Sequence, residues 1–361
     1  MRVIDASFVT LFLGDGPPRW VSTSSNIVLP MPTTFGGRIA YTLDLLTSMR
    51  GSSWYSDRRW HFTSSLVISQ QARLSQTSRW QYTRTQLLWM IWFYFLIDLI
   101  DTGVKLIDFD PVSIYPVSGD LPISQQLICS IGIGLWIYLS LAFEHGKMSL
   151  MFIGLLGVSK PVSWPPMFEY PFLGSSLSDF WGKRWHYMFR RTFDRLLAPF
   201  LPPPPQKLSK YKKEDDYSSV PTAKQGVTVE RNTTPVLIRA GAAFILTTLL
   251  HLIVIHRNVP TPLHPYAAFW DPCILLFFLA QPIGIALDVF LCRLLRASGV
   301  GQRGVAIARR AFVWGWLLWT ARWWADSWVR KGLWHKTEQF VLWSPVRGLL
   351  WGDWFVQGGP Q

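Results

Sequence analysis

The sequence predicts an all-α fold: a polytopic transmembrane helical bundle with an interfacial amphipathic helix and a cytoplasmic linker loop. Three observations carry that prediction. Of 361 residues, 49% are hydrophobic and only 16% charged, against roughly 25% charged in an average soluble domain. The 21 Trp and 23 Phe far exceed ordinary usage, and tryptophan gathers where an apolar ring meets water at the lipid–headgroup boundary. The basic residues, which set a net charge of +13, flank apolar runs and form no continuous stripe. That pattern belongs to cytoplasmic membrane loops, and no nucleic-acid partner is expected because no such module is present.

The spanning segments follow in order. Residues 86–100 are apolar and aromatic, broken only by Asp98. Residues 121–143 carry no charge and exceed the about 20 residues a bilayer requires. The run 148–158 is too short to span alone and reads as re-entrant. Residues 236–255, 272–291 and 311–325 complete a set of five, with weaker apolar runs at 6–13 and 340–356. The 50–84, 183–231 and 293–310 loops are basic, 101–121 is acidic, and 256–270 has a single Arg. With basic loops inside, the five spans alternate without violation and residues 174–235 fall on the cytoplasmic side. The chain thus divides into an amino-terminal region, 1–85, a membrane core, 86–325, and a tail, 326–361, in which a further membrane-associated segment is possible. Within the core, residues 202–230 begin with four prolines and have the composition of a flexible linker. The Asn232 sequon is expected to be unmodified, being cytoplasmic.

Several chemistries are absent from the motifs. There is no Walker loop, no GxSxG elbow and no HExxH pattern, and the three cysteines Cys129, Cys273 and Cys292 have no metal spacing. No metal is expected. A GxGxxG at Gly299, Gly301 and Gly304 follows no strand and is surrounded by arginines, so it reads as a loop.

The stretch SSLSDFWGKRWHYMFRR, residues 175–191, concentrates Asp179, Trp181, Lys183, Arg184, Trp185, His186, Arg190 and Arg191. Ser178 suits an N-cap and Asp179 a first turn. At about 100° per residue, Asp179, Lys183, His186 and Arg190 share one stripe, opposite Trp181, Trp185 and Met188. This is either an interfacial helix and nothing more, or chemistry held at a membrane surface. His251 is the second candidate, with no charged residue between Arg239 and Arg257. An ionisable group within a span usually faces the bundle interior and serves function; the plain alternative is a neutral histidine bonded to a neighbouring helix. His256, His264 and His335 lie near predicted helix ends and read as interface residues.

These residues resemble the wax-synthase-like branch of the membrane-bound O-acyltransferases. The signature is carried by Ser178, Asp179, Phe180, Trp181, Gly182, Lys183, Arg184, Trp185 and His186. Upstream, Arg50, Gly51 and Trp54 match the Arg-Gly…Trp element; downstream, Phe244 and His251 match a Phe-x-x-Ser-Gly-x-x-His segment in which Thr247 and Thr248 replace Ser-Gly. Against fuller members of that family, the chain is expected to lack amino-terminal membrane helices. The Trp-His ending and the Arg-Gly…Trp element resemble the fungal type, which acetylates terpenoid and meroterpenoid alcohols in secondary metabolism.

The resemblance implies an acyl-CoA-dependent O-acyltransferase with acetyl-CoA as co-substrate and a lipophilic alcohol as acceptor, multi-pass in the membrane of the endoplasmic reticulum. His251 is then the general base, and His186 orients the thioester or stabilises the oxyanion. Lys183, Arg184, Arg190 and Arg191 meet the phosphates of coenzyme A, with Asp179 a structural partner of Lys183 or Arg184 and Trp181 and Trp185 part of the motif. The competing readings are a wax-ester synthase for long-chain alcohols, a transporter or other non-catalytic membrane protein, and an intramembrane terpene cyclase using Asp98, Asp101 and Asp288.

Overall fold

The computed structural model describes residues 18–48, 50–53, 57–110, 113–185, 187–197, 199–201, 234–258, 269–335 and 341–355. A two-stranded antiparallel ribbon, β1 (Trp20–Ser22) with β2 (Arg58–Trp60), opens it and pairs Trp20 with Trp60. Trp20 and Trp60 close on Tyr41 of α1 (Phe35–Thr47), while the Trp20 indole donates to the buried Asp44 carboxylate at 2.9 Å. Helix α2 (Ser65–Leu74) begins at a Ser64 cap, whose hydroxyl accepts from the Val67 amide.

Four long helices follow the apolar runs: α3 (Arg79–Val104), α4 (Ile123–Ser149), and, after α5 (Arg190–Leu197), α6 (Thr234–Asn258) and α7 (Pro272–Ala297). Among the described residues, four helices are long and apolar enough to cross a membrane: Arg79–Val104, Ile123–Leu155, Leu237–Ile255 and Pro272–Ala297. The fifth predicted span, 311–325, sits in α8 (Gln302–Arg330), which is long but not among those four. Charged Arg309, Arg310, Arg322, Asp326 and Arg330 interrupt its apolar character. The predicted re-entrant run 148–158 is corrected: α4 continues without a break into a π turn, Leu150–Leu155, because nothing in that sequence ends a helix before Gly157, whose φ is +71°. Residues 6–13 and 202–230, Asn232, Trp54 and His264 lie outside the described residues. From the 340–356 run, α9 (Pro345–Trp351) forms a short helix.

Helix α8 packs on both α7 and α4, α3 packs on α4, and α6 packs on α7. Buried polar groups fix these contacts, as they must where water is excluded. The Asp326 carboxylate accepts from the Val117 amide at 2.7 Å and the Ser118 amide at 3.0 Å. The Asp98 carboxylate accepts from the Val346 amide at 2.7 Å and from the Ser344 hydroxyl, holding α9 to α3. Asp271, which caps α7, pairs with Arg330 and Lys331 at the end of α8. Burial opposes the Asp271 charge, but Lys331 and Arg330 outweigh it and hold its carboxyl below the usual range.

The α7–α8 contact also depends on one missing side chain. A Cβ placed on Gly284 would lie 2.3 Å from Trp316 Nε1 and 2.5 Å from Cε2. Gly284→Ala is therefore expected to push α8 off α7 and cost about 1–3 kcal/mol. A lower melting temperature of the detergent-purified protein checks this, and an unchanged one would show that the indole moves freely.

Candidate active site

The segment 175–191 does not form the continuous amphipathic helix its periodicity suggests. It makes one α-helical turn, Leu177–Asp179, a π turn, Phe180–Arg184, and an extended residue, Trp185. The cap is Ser176 and not Ser178: the Ser176 hydroxyl accepts from the Asp179 amide at 2.9 Å while the Asp179 carboxylate accepts from the Ser175 amide at 3.1 Å.

The break follows from where the aromatic rings go. Residues five apart lie about 140° apart on an α-helix, and a π turn brings them nearer to one side. The Trp185 amide donates to the Phe180 carbonyl at 2.8 Å, and the two rings stack with centroids 5.5 Å apart. Trp181 turns inward against Phe244 (5.5 Å) and Phe277 (6.2 Å). Trp181 therefore packs on α6 and α7 and Trp185 on Phe180 and Phe168, in place of one exposed ring stripe, because rings packed on rings bury more area.

The charged residues divide by role. Arg184 donates from Nε to Asp179 at 2.7 Å and from Nη1 to the carbonyls of Glu169 (3.2 Å) and Tyr170 (3.1 Å). Its donors thus hold the turn's shape. Lys183 Nζ lies 3.8 Å from Asp179, with most of its side chain exposed. Arg190 is exposed and donates to the Gly182 carbonyl at 3.0 Å. Burial opposes the Asp179 charge, but hydrogen bonds from Arg184 and Ser175 win and hold its carboxyl below the ordinary range. His186 and the Arg191 side chain lie outside the described residues.

His251 sits on α6, seven residues after Phe244 and hence on nearly the same face. Its ring lies 4.5 Å from Phe278 of α7 and 5.4 Å, edge-on, from Trp324 of α8. It faces neighbouring helices and is half-buried. Nδ1 is 2.8 Å from the Thr247 carbonyl. A carbonyl can only accept, so Nδ1 carries the proton and Nε2 of the neutral ring keeps its lone pair. Thr247 and Thr248, in place of Ser-Gly, bond the carbonyls of Ala243 (2.8 Å) and Phe244 (2.7 Å) and leave α6 packed on α7. Cavities of about 380 Å³ beside Tyr41 and about 340 Å³ beside Trp314 open elsewhere, and His251 lines neither.

What joins the two parts is a polar stripe on α7 that the motif search did not single out. Asp288 is fully buried; it accepts from the Leu177 amide at 3.1 Å and from Arg309 Nε and Nη2 at 2.8 and 2.9 Å. One heptad earlier, Gln281, also fully buried, accepts from Trp181 Nε1 at 3.2 Å. Phe278, one turn further, faces His251. Polar residues spaced by seven inside an apolar run were the available signal. Asp288, offered as a cyclase acid, is instead half of a bidentate ion pair, and Asp98 and Asp101 bind Ser344, Val346 and Lys105.

Arg50 acts at a distance from these residues. Its guanidinium reaches the carbonyls of Pro165 and Pro166 and lies 3.4 Å from His145 Nε2. Burial brings its pKa down to about 10. Gly51 (φ +83°) has no room for a side chain, since a Cβ would lie 2.6 Å from Thr63 Oγ1. The Arg-Gly pair thereby ties the amino-terminal region to the start of the segment that leads into 175–191.

Residues 164–279 match the profile of the Membrane bound O-acyl transferase family, a span that contains both the 175–185 turn and His251. The chain is also similar to the acetyltransferase eriL of Hericium erinaceus, 28% identical over 116 residues, 31% of this chain and 29% of that protein. With the O-Mevalon transferase macI of Penicillium terrestre it is 26% identical over 158 residues, 43% of this chain and 34% of that one. The match thus spans about a third of the length of these curated relatives. No solved structure matches the chain. The resemblance carried by the 175–191 signature is borne out where that signature lies, and the four apolar helices agree with an integral membrane protein.

Proposed function

We propose that the chain is a membrane-bound O-acetyltransferase that moves an acetyl group from acetyl-CoA to the hydroxyl of a lipophilic terpenoid or meroterpenoid alcohol. The observation that carries this reading is the 2.8 Å approach of His251 Nδ1 to the Thr247 carbonyl: a carbonyl only accepts, which assigns the proton to Nδ1 and leaves Nε2 as a base. A neutral alcohol is a poor nucleophile, and a base within reach of its proton removes that obstacle. Nε2 takes the hydroxyl proton as the oxygen bonds to the thioester carbon. Collapse of the tetrahedral adduct breaks the carbon–sulfur bond, and the imidazolium returns the proton to the departing coenzyme A thiolate. No acyl-enzyme is required. His186 orients the thioester or stabilises the oxyanion.

The aromatic rings of Phe278 and Trp324 pack against the proposed base, an apolar setting that favours acyl transfer over hydrolysis of the thioester. In the basic-inside arrangement, the 175–191 turn faces the cytosol, where acyl-CoA is found. Lys183, Arg190 and Arg191 meet its phosphates. Arg184, whose Nε and Nη1 bond Asp179 and the Glu169 and Tyr170 carbonyls, contributes by holding the turn. The membrane is that of the endoplasmic reticulum.

Membranes containing the full chain, supplied with labelled acetyl-CoA and a terpenoid alcohol, are expected to form a labelled lipophilic ester; a wax synthase would instead prefer long-chain alcohols, and a transporter would form none. The names of the two relatives differ in the group transferred, acetyl and mevalon, so the donor panel includes other acyl-CoA esters. Lys183→Ala with Arg190→Ala is expected to raise KM for the acyl donor about tenfold while kcat holds, the loss of charge-assisted contacts to phosphate. An unchanged KM would place the phosphates elsewhere.

A further inference from the structure

We infer that Gln281 is a positioning residue for the proposed reaction: it sets the Trp181 indole and thereby joins the 175–185 turn to the aromatic rings packed against His251. The inference rests on the acyltransferase reading for its functional half and on geometry alone for its structural half.

The amide of Gln281 has only one possible orientation. Its Nε2 donates both hydrogens, to the Phe277 carbonyl at 2.8 Å and to Thr320 Oγ1 at 3.1 Å. Its Oε1 accepts from Trp181 Nε1 at 3.2 Å. Turning the amide over would set an N–H against the indole N–H and an oxygen against the Phe277 carbonyl, so the observed orientation is the one that satisfies every partner. Thr320 is itself held, its hydroxyl donating to the Trp316 carbonyl at 2.8 Å. One fully buried side chain thus bonds the signature turn, α7 and α8 at a single point.

The same point governs the rings around the base. Trp181 meets Phe277 edge-on, Phe277 lies 4.8 Å from Phe278 and 5.3 Å from Trp324, and those two rings pack against His251. Interiors this densely packed transmit a shift from one ring to the next. A plain apolar residue at 281 would fill the space equally well but would take away the acceptor of the part-buried indole N–H, which is destabilising. That an amide stands inside an otherwise apolar span is explained by this demand.

The test compares Gln281→Leu, Gln281→Glu and Trp181→Phe in the full-length, detergent-purified protein. Hydrogen exchange is read first, because it does not depend on activity. Gln281→Leu is expected to speed exchange of the 177–185 amides while those of α3 and α4 keep the wild-type rate; unchanged exchange at 177–185 overturns the tether, whatever the protein catalyses. In the acyl-transfer assay Gln281→Leu is expected to lower kcat about tenfold with KM for acyl-CoA within about twofold of wild type. Gln281→Glu, protonated in this buried setting, keeps a carbonyl acceptor and one donor and is expected to restore most of kcat. In the Trp181→Phe background, which has no indole N–H to satisfy, Gln281→Leu is expected to cost less than about twofold more. Equal losses in both backgrounds, or no rescue by Glu, would reduce Gln281 to core packing. Altered exchange together with absent acyl transfer in the wild type would leave the tether standing and reject the acyltransferase reading.

Discussion

Replacing His251 by alanine is expected to abolish acyl transfer, lowering kcat by about 10²–10⁴-fold, the range of a positioned general base. The ring's only polar contact among the described residues is with the carbonyl of its own helix, Thr247. Removing it therefore breaks no bond between helices, and folding and expression should survive. The space left between Phe278 and Trp324 costs packing, which a His251→Gln variant controls for by filling most of that space without supplying a base of suitable strength. Both variants should run as single species on size exclusion and both should be inactive. Wild-type turnover in either would remove the proposed base and with it the mechanism.

The second large effect concerns stability. Asp288→Ala would strip Arg309 of its bidentate partner and leave the Leu177 amide without an acceptor, both inside a packed region. Arg309 keeps partial access to solvent, so losing this pair and the acceptor of the Leu177 amide is expected to cost about 1–3 kcal/mol. The expected result is a protein recovered in much lower yield, with a melting temperature depressed by several degrees. Asp288→Asn, which can still accept from the Leu177 amide, should lose less. If Asp288→Ala melted like the wild type, the carboxylate would not be what anchors the 175–185 turn to α7 and α8.

Much of this architecture is readable in the sequence. The runs at 86–100, 121–143, 236–255 and 272–291 each mark a helix, displaced only at the ends, because a span must be apolar over about 20 residues whatever it packs against. The 175–191 turn and His251 were likewise visible, as residues out of keeping with their surroundings. The shape of 175–191 was not. Periodicity treats each residue as if it lay on a regular helix, and here ring stacking between Phe180 and Trp185 and the bond from Trp181 to Gln281 outweigh that regularity.

Gln281 escaped, and Asp288 read only as a cyclase acid, for a related reason: a lone polar residue in a span has no meaning until its partner, more than a hundred positions away in Asp288's case, is known. The same holds for Arg184, whose bonds to Asp179 and to the Glu169 and Tyr170 carbonyls cannot be read from the signature. By itself, then, the sequence determined that the chain is a helical membrane protein and that 175–191 and His251 are its unusual points, since hydropathy and residue type are local properties. Only the tertiary structure decided which nitrogen of His251 meets the Thr247 carbonyl, which cations are already engaged among the described residues, and that α7 is the element tying the turn to His251. Those depend on where one helix's hydrogen-bonding groups meet another's, and contact between distant residues is not written in either segment alone.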